Sequence, residues 1–252
     1  MTETKPIRLM LKGALGGAIA DTGDEPSAAA LFSRVSARLY SLAPPQETMR
    51  ALSSLGEFVE MANALDATYG RDEELPVADI EAATNDAMGE ISRIESWLTA
   101  NAQSHSINDF DPVTLGVALW AMRHSVYIQH CEPVVNALAR RANGAASRQE
   151  TAATYAFAQG LIAHLAPSLS ADLERSNPER PWRVLNINFA IIAIRTGDAA
   201  LVRFAFDQLN TALPAEREGF YAEALALASQ AGFPVELRDL IAQEWRRVAQ
   251  LH

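Results

Sequence analysis

The chain has 252 residues, of which 49% are hydrophobic and 21% charged, and these proportions are typical of a globular protein with a sizeable core. Its formal net charge of -10 argues against nucleic acid as a partner, because nonspecific phosphate binding depends on Lys and Arg. Cys131 is the only cysteine, which excludes an internal disulfide and a multi-cysteine metal site and fits a reducing, cytoplasmic compartment.

The first predicted element is the segment 5–23, KPIRLMLKGALGGAIADTG, which holds both lysines of the chain. Its apolar residues recur at helical spacing, and Lys5, Arg8 and Lys12 share another face of the same helix. Three glycines lie opposite the apolar stripe and cost about 1 kcal/mol each relative to alanine, so the helix should form only against a surface. We therefore predict a docking arm over residues 1–24.

The sequence leaves open which surface receives the docking arm. The core of this protein is the first alternative. A partner protein, a neighbouring copy in a homo-oligomer and an acidic membrane surface are the others, the membrane being the least expected. A secretion signal is a further interpretation, since basic residues precede an AIA pattern, but the apolar run is short and broken by glycine. The residues that we predict to contact a partner are Arg8, Met10, Lys12 and Leu15.

From residue 25 onward, apolar residues repeat every three or four positions, which is the spacing of one helical face. Prolines, acidic residues and a Ser-x-x-Glu capping box predict segment starts at Pro26, Pro45, Asp111-Pro112, Pro133, Ser147, Pro181, Asp198, Pro214 and Pro234. No stretch here alternates with a period of two, so no sheet is predicted. We predict an all-α fold of nine or ten stacked antiparallel helices, either a helical-hairpin repeat or an irregular bundle. A single domain is expected over 25–252, with a candidate subdivision near 103–111.

One stretch of this helical region, 182–214, carries Trp182, Leu185, Phe189, Ala200, Phe204 and Pro214. This pattern resembles the tetratricopeptide motif W-x2-L-G-x2-Y…A-x3-F…P, with Asn186 in place of the glycine and a looser spacing before the proline. The resemblance covers about one repeat. It implies a stack of helical hairpins that binds a peptide or a protein on a concave face.

The stretch RHSVYIQHCEP is the densest cluster of candidate metal ligands. On a helix, His124 and Cys131 would lie about 10.5 Å apart along the axis, which is too far for one metal ion, and His130 would point about 120° away from His124. We therefore predict no metal and no cofactor, and we expect His124 to be a core or boundary residue beside a buried thiol. The alternative is a ligand pocket near Trp120, His124, Tyr127 and His130.

No set of candidate residues has the sequence spacing of a known catalytic arrangement. No Glu is followed by His three residues later, which excludes the paired motif of di-iron bundles. We expect a non-catalytic protein–protein interaction module, such as an adaptor, scaffold, chaperone or accessory subunit, that presents a helical binding surface. Residues 1–110 carry 17 acidic and eight basic side chains, so they face either solvent or a basic partner. The alternative function is a helical-bundle enzyme or a small-ligand-binding protein that uses the pocket named above.

Overall fold

Ten α-helices make up nearly all of the chain that the structure, a computed structural model, describes: residues 28–70, 75, 79–169, 180–229 and 234–250. The helices are α1 (Ala28–Ser41), α2 (Gln46–Tyr69), α3 (Ile80–Ala100), α4 (Ser104–Arg123), α5 (Glu132–Gly144), α6 (Arg148–Leu169), α7 (Pro181–Thr196), α8 (Ala199–Ala212), α9 (Arg217–Ala228) and α10 (Val235–Ala249). These ranges contain no strand, and the all-α prediction is confirmed. The docking arm lies outside the described residues.

Local end signals set several of these helix boundaries. The backbone N–H of Glu150 donates to Ser147 Oγ at 3.1 Å, and the carboxylate of Glu150 accepts the N–H of Ala146 at 2.8 Å, so the capping box before α6 is formed. Asp198 accepts two N–H groups of the first turn of α8. Between α7 and α8, Gly197 adopts φ +73°, the left-handed conformation that ends many helices.

The predicted helix start at Asp111-Pro112 is wrong, because α4 already begins at Ser104 and runs through Pro112. Asp111 does not act as a cap in this helix. Its side chain is 5% exposed and its carboxylate accepts hydrogen bonds from Arg140 on α5. The same helix ends at Arg123, so the residues that follow it belong to a loop rather than to a continued helix.

Most helices that are neighbours in the chain pack closely against each other, whereas α8 and α9 meet through the rings of Phe206 and Phe220. Longer-range contacts join α1 to α4, α5 to α7 and α8 to α10. The most apolar helix, α7, is enclosed by α5, α6 and α8, as its sequence predicts. One hydrophobic cluster runs from Val35 on α1 to Val248 on α10. Packing in neighbouring pairs is compatible with a helical-hairpin repeat. Within the resembling stretch, Trp182 is buried, whereas Phe204 is 49% exposed and meets Phe189 edge-to-face.

Candidate functional site

An open groove of about 690 Å³ lies between α2 and α3. Its α2 wall carries residues 54, 57, 58 and 61, and its α3 wall carries 83, 86, 87 and 90, so each set repeats at the spacing of one helical face. Asn85, Gly89, Arg93 and His130 complete the lining. The groove therefore results from the pairing of two consecutive helices.

The buried residues of the groove lining, Phe58 and Ala87, are apolar. Phe58 is 7% exposed and meets Trp120 edge-to-face, with ring centroids 5.5 Å apart. Ala83 and Ala87 face it from α3, and a Cβ atom added at Gly89 would meet nothing within 4 Å. Small residues on the α3 wall thus leave open the space that larger side chains would fill.

The rims of the groove are acidic. Glu57 and Asp86 are exposed on opposite walls, and Glu90 accepts two hydrogen bonds from Arg93, at 2.9 and 3.0 Å. With the three carboxylates ionised and His130 neutral, the lining carries a formal charge of -2. A ligand that combines an apolar face with cations matches this arrangement, because both features find partners in the same place.

Trp120 and His124, two residues of the alternative pocket, are buried and are not part of the groove lining. Trp120 Nε1 and His124 Nε2 both lie 2.9 Å from one carboxylate oxygen of Asp66, and the side chain of His124 is fully buried. The expectation of a buried histidine is therefore met. The other two pocket residues are exposed: Tyr127 lies in the loop after α4, and His130 lines the groove. Spacing on a continued helix placed Trp120, His124 and Tyr127 on one face, which does not exist because the helix ends at Arg123.

Asn85 holds the loop 124–131 against α3. Its side-chain amide donates to the carbonyl of Tyr127 at 3.1 Å, and its side-chain oxygen accepts the backbone N–H of Gln129 at 2.7 Å. These two bonds place His130 at the groove. Sequence reasoning missed Asn85 because its partners are more than 40 residues away and no local motif marks them.

The half-buried His164 holds this loop at a second point, and the loop ends at the buried Cys131. His164 on α6 lies 2.9 Å, through Nε2, from the carbonyl of Val126, and burial lowers the pKa of this histidine. Burial also raises the pKa of the Cys131 thiol to about 12, with Glu132 adding to the effect. A raised pKa favours the protonated thiol near neutral pH, which makes it a weak nucleophile in the folded chain.

A second cluster of charges joins three helices. Arg140 on α5 donates to both carboxylate oxygens of Asp111 through Nε, each at 3.0 Å, and contacts Glu95 on α3. Burial raises the pKa of both Glu95 and Asp111, because it disfavours the charged carboxylates, and Arg140 opposes this shift in part. A cleft of about 200 Å³, lined partly by Arg141 and Glu150, adjoins this cluster. The arrangement ties α3, α4 and α5 together at one point.

In the part of the chain that the structure describes, no three His, Cys, Asp or Glu side chains are close enough together to hold a metal ion. No helix among the same residues is long and apolar enough to span a membrane. The residues predicted to contact a partner, Arg8, Met10, Lys12 and Leu15, lie outside the described ranges. No protein-family model, curated protein or solved structure matches the chain.

Proposed function

We propose that this chain is a non-catalytic module, such as an adaptor or accessory subunit, that binds a basic amphipathic helix of another protein in the groove between α2 and α3. The observation that carries the proposal is the combination of an apolar base at Phe58 with carboxylates on both walls. Helix-in-groove recognition uses apolar anchors three and four residues apart, with charged residues at the edge.

The dimensions of the groove support a helical ligand. Residues 83–93 of α3 rise about 15 Å along the helix axis, which is nearly three turns of a partner helix lying alongside. Such a helix places two or three apolar residues against Phe58 and Met61. Lysine or arginine on its flanks then lies near Glu57 and Asp86.

The proposal includes a structural relationship to a known repeat and a cellular compartment. A tetratricopeptide-like relationship is supported by the pairing of neighbouring helices and by the residues matched in α7 and α8. A cytoplasmic site of action is supported by the single unpaired thiol, Cys131, since proteins of oxidising compartments more often carry paired cysteines.

The test is a display selection of random peptides against the full chain, followed by affinity measurements on two variants. Gly89→Leu fills the groove, whereas Gly116→Leu makes the same change on α4, where an added Cβ also meets nothing. Neither change removes a packed side chain, and leucine favours helix more than glycine does. Folding of both variants is checked by circular dichroism.

We expect the selected peptides to have apolar residues at helical spacing with interspersed Lys or Arg. Their affinity should fall at least tenfold for Gly89→Leu and stay unchanged for Gly116→Leu. Peptides that bind both variants equally would place recognition elsewhere on the molecule, and a selection without basic residues would contradict the role given to Glu57 and Asp86.

A further inference from the structure

The cleft of about 200 Å³ beside Arg140 lies where α4, the end of α5 and the start of α6 meet. The charged side chains in its lining are two cations and two carboxylates: Asp111, Arg140, Arg141 and Glu150. The cleft shares no lining residue with the groove between α2 and α3, so an inference about it stands apart from the proposed function.

The donor groups of the cleft have hydrogen-bonding capacity that the described part of the fold does not use. Arg140 binds Asp111 and Glu95 through Nε and Nη2, whereas its Nη1 has no partner among the described residues. The exposed guanidinium of Arg141 and the side-chain amide of Asn108 likewise make no hydrogen bond within the described ranges. Guanidinium groups with unused N–H donors are well suited to a carboxylate, which they bind through paired hydrogen bonds.

The acceptor groups of the same cleft are suited to a cation. Glu150 accepts the N–H of Ala146 through Oε2, and its Oε1 has no partner among the residues that the structure describes. Gly144 and Ala145 mark the end of α5, where the last backbone carbonyls lack intrahelical donors and the helix dipole is negative. A lone anion in the cleft would therefore meet carboxylates, and a lone cation would meet guanidiniums.

We propose that this cleft binds a free α-amino acid. The carboxylate of the ligand binds Arg141 and Nη1 of Arg140, and its ammonium group binds Glu150 and the carbonyls at the end of α5. Because the charges of the lining cancel, a zwitterion matches the cleft better than an ion of either sign does. Pockets for drug-sized molecules measure about 300 to 1,000 Å³, so this smaller cleft suits a ligand no larger than an amino acid.

The charged groups of the cleft are held in place by the fold itself. Arg140 donates to both carboxylate oxygens of Asp111 through Nε, each at 3.0 Å, and Asp111 is only 5% exposed. Ser147 accepts the backbone N–H of Glu150 at 3.1 Å, which fixes the first turn of α6. A ligand that enters a site with groups already in position loses less conformational entropy on binding, which favours useful affinity from few contacts.

The experiment begins with a thermal-shift screen of the full chain against each of the standard L-amino acids. Each is present at about 10 mM, which reveals dissociation constants up to the millimolar range. Calorimetry then measures the affinity of the best binder at about pH 7.5, where its ammonium and carboxylate groups are both charged. The N-acetyl derivative of the same amino acid lacks the cation, and its carboxamide lacks the anion. Each derivative should bind about tenfold or more weakly, because it loses charge-assisted hydrogen bonds.

Variants of the cleft test where the amino acid binds. Gly144→Leu fills the cleft, whereas Gly219→Leu is the matched control on α9, and an added Cβ meets nothing within 4 Å at either position. Arg141→Gln removes a cation, and Glu150→Gln removes an anion while keeping an acceptor for the N–H of Ala146. The three cleft variants should weaken binding about tenfold or more, and the control should leave it unchanged. Circular dichroism checks that all four variants are folded.

Several outcomes would overturn this inference. A screen in which no amino acid binds the wild type would remove the proposed ligand. Unchanged affinity of Gly144→Leu would place the ligand elsewhere on the molecule. Equal binding of the N-acetyl derivative would show that the site recognises an anion alone, and equal binding of the carboxamide would show that it recognises a cation alone.

Discussion

Replacing Arg140 with Met removes one guanidinium that serves two buried carboxylates, while keeping much of the volume of the side chain. The side chains of Glu95 and Asp111 are 13% and 5% exposed, so water replaces the lost hydrogen bonds poorly. Breaking a buried ion pair by removing one partner costs about 3 to 5 kcal/mol, and the 32% exposure of Arg140 favours the lower end, about 3 kcal/mol. For a chain of this length the melting temperature should fall by about 6 to 12 °C.

The pH dependence of this loss makes the prediction specific. Burial raises the pKa of Glu95 and of Asp111, so above ordinary carboxyl values near 4 the folded chain holds more protons than the unfolded chain. Their contribution to stability is therefore fully present at low pH and is lost as pH rises through the raised values. Without Arg140 these pKa values rise further, so the cost of Arg140→Met should be smaller at about pH 5 than at about pH 7.5.

Urea unfolding followed by circular dichroism at both pH values measures the effect. The triple variant Glu95→Gln, Asp111→Asn and Arg140→Met is the matched control, because it removes all three charges together. It should recover most of the lost unfolding free energy. A loss below about 1 kcal/mol for Arg140→Met, or the same loss at both pH values, would refute the view that this cluster is a buried and electrostatically coupled group.

Asp66→Ala should lower the unfolding free energy by about 2 to 4 kcal/mol, because it leaves the ring N–H groups of Trp120 and His124 without their acceptor. Asp66→Asn keeps an acceptor oxygen and should cost clearly less in the same urea titration, and equal losses would argue against this explanation. Because burial lowers the pKa of His164, the unfolding free energy should fall as pH drops below about 6.5, where the unfolded chain gains the proton first. His164→Gln should reduce that fall between about pH 7.5 and 5.5, and an unchanged slope would contradict the assignment.

The helices that the sequence predicts best are those with local end signals. The capping box at Ser147 and the acidic cap at Asp198 each depend on atoms within four residues, so a short stretch of sequence holds the whole interaction. The prediction of a helix start at Pro112 was wrong because it also relied on a local signal alone. Asp-Pro is a good local start signal, but Asp111 is engaged by Arg140, which lies 29 residues away. Tertiary pairing thus overrode the local preference.

The candidate site was harder to predict because it arises between elements. Glu57 and Asp86 belong to different helices, and only the pairing of α2 with α3 brings them to one groove. His124 was predicted to be a core or boundary residue, but its acceptor Asp66 lies 58 residues away on another helix, so their hydrogen bond could not be predicted. The end of α4 at Arg123 was not signalled by glycine or proline, so the residues after it were assigned to the wrong faces.

The buried thiol of Cys131 can report how often the surrounding part of the protein opens. The side chain is 2% exposed at the end of a loop held by hydrogen bonds on both sides, so a maleimide dye can modify it only after that region comes apart. Its rate of labelling in the absence of denaturant therefore reports how often the middle of the molecule opens. A bound helix that stabilises the wall formed by α3 should slow that rate, and binding could then be followed without any introduced probe.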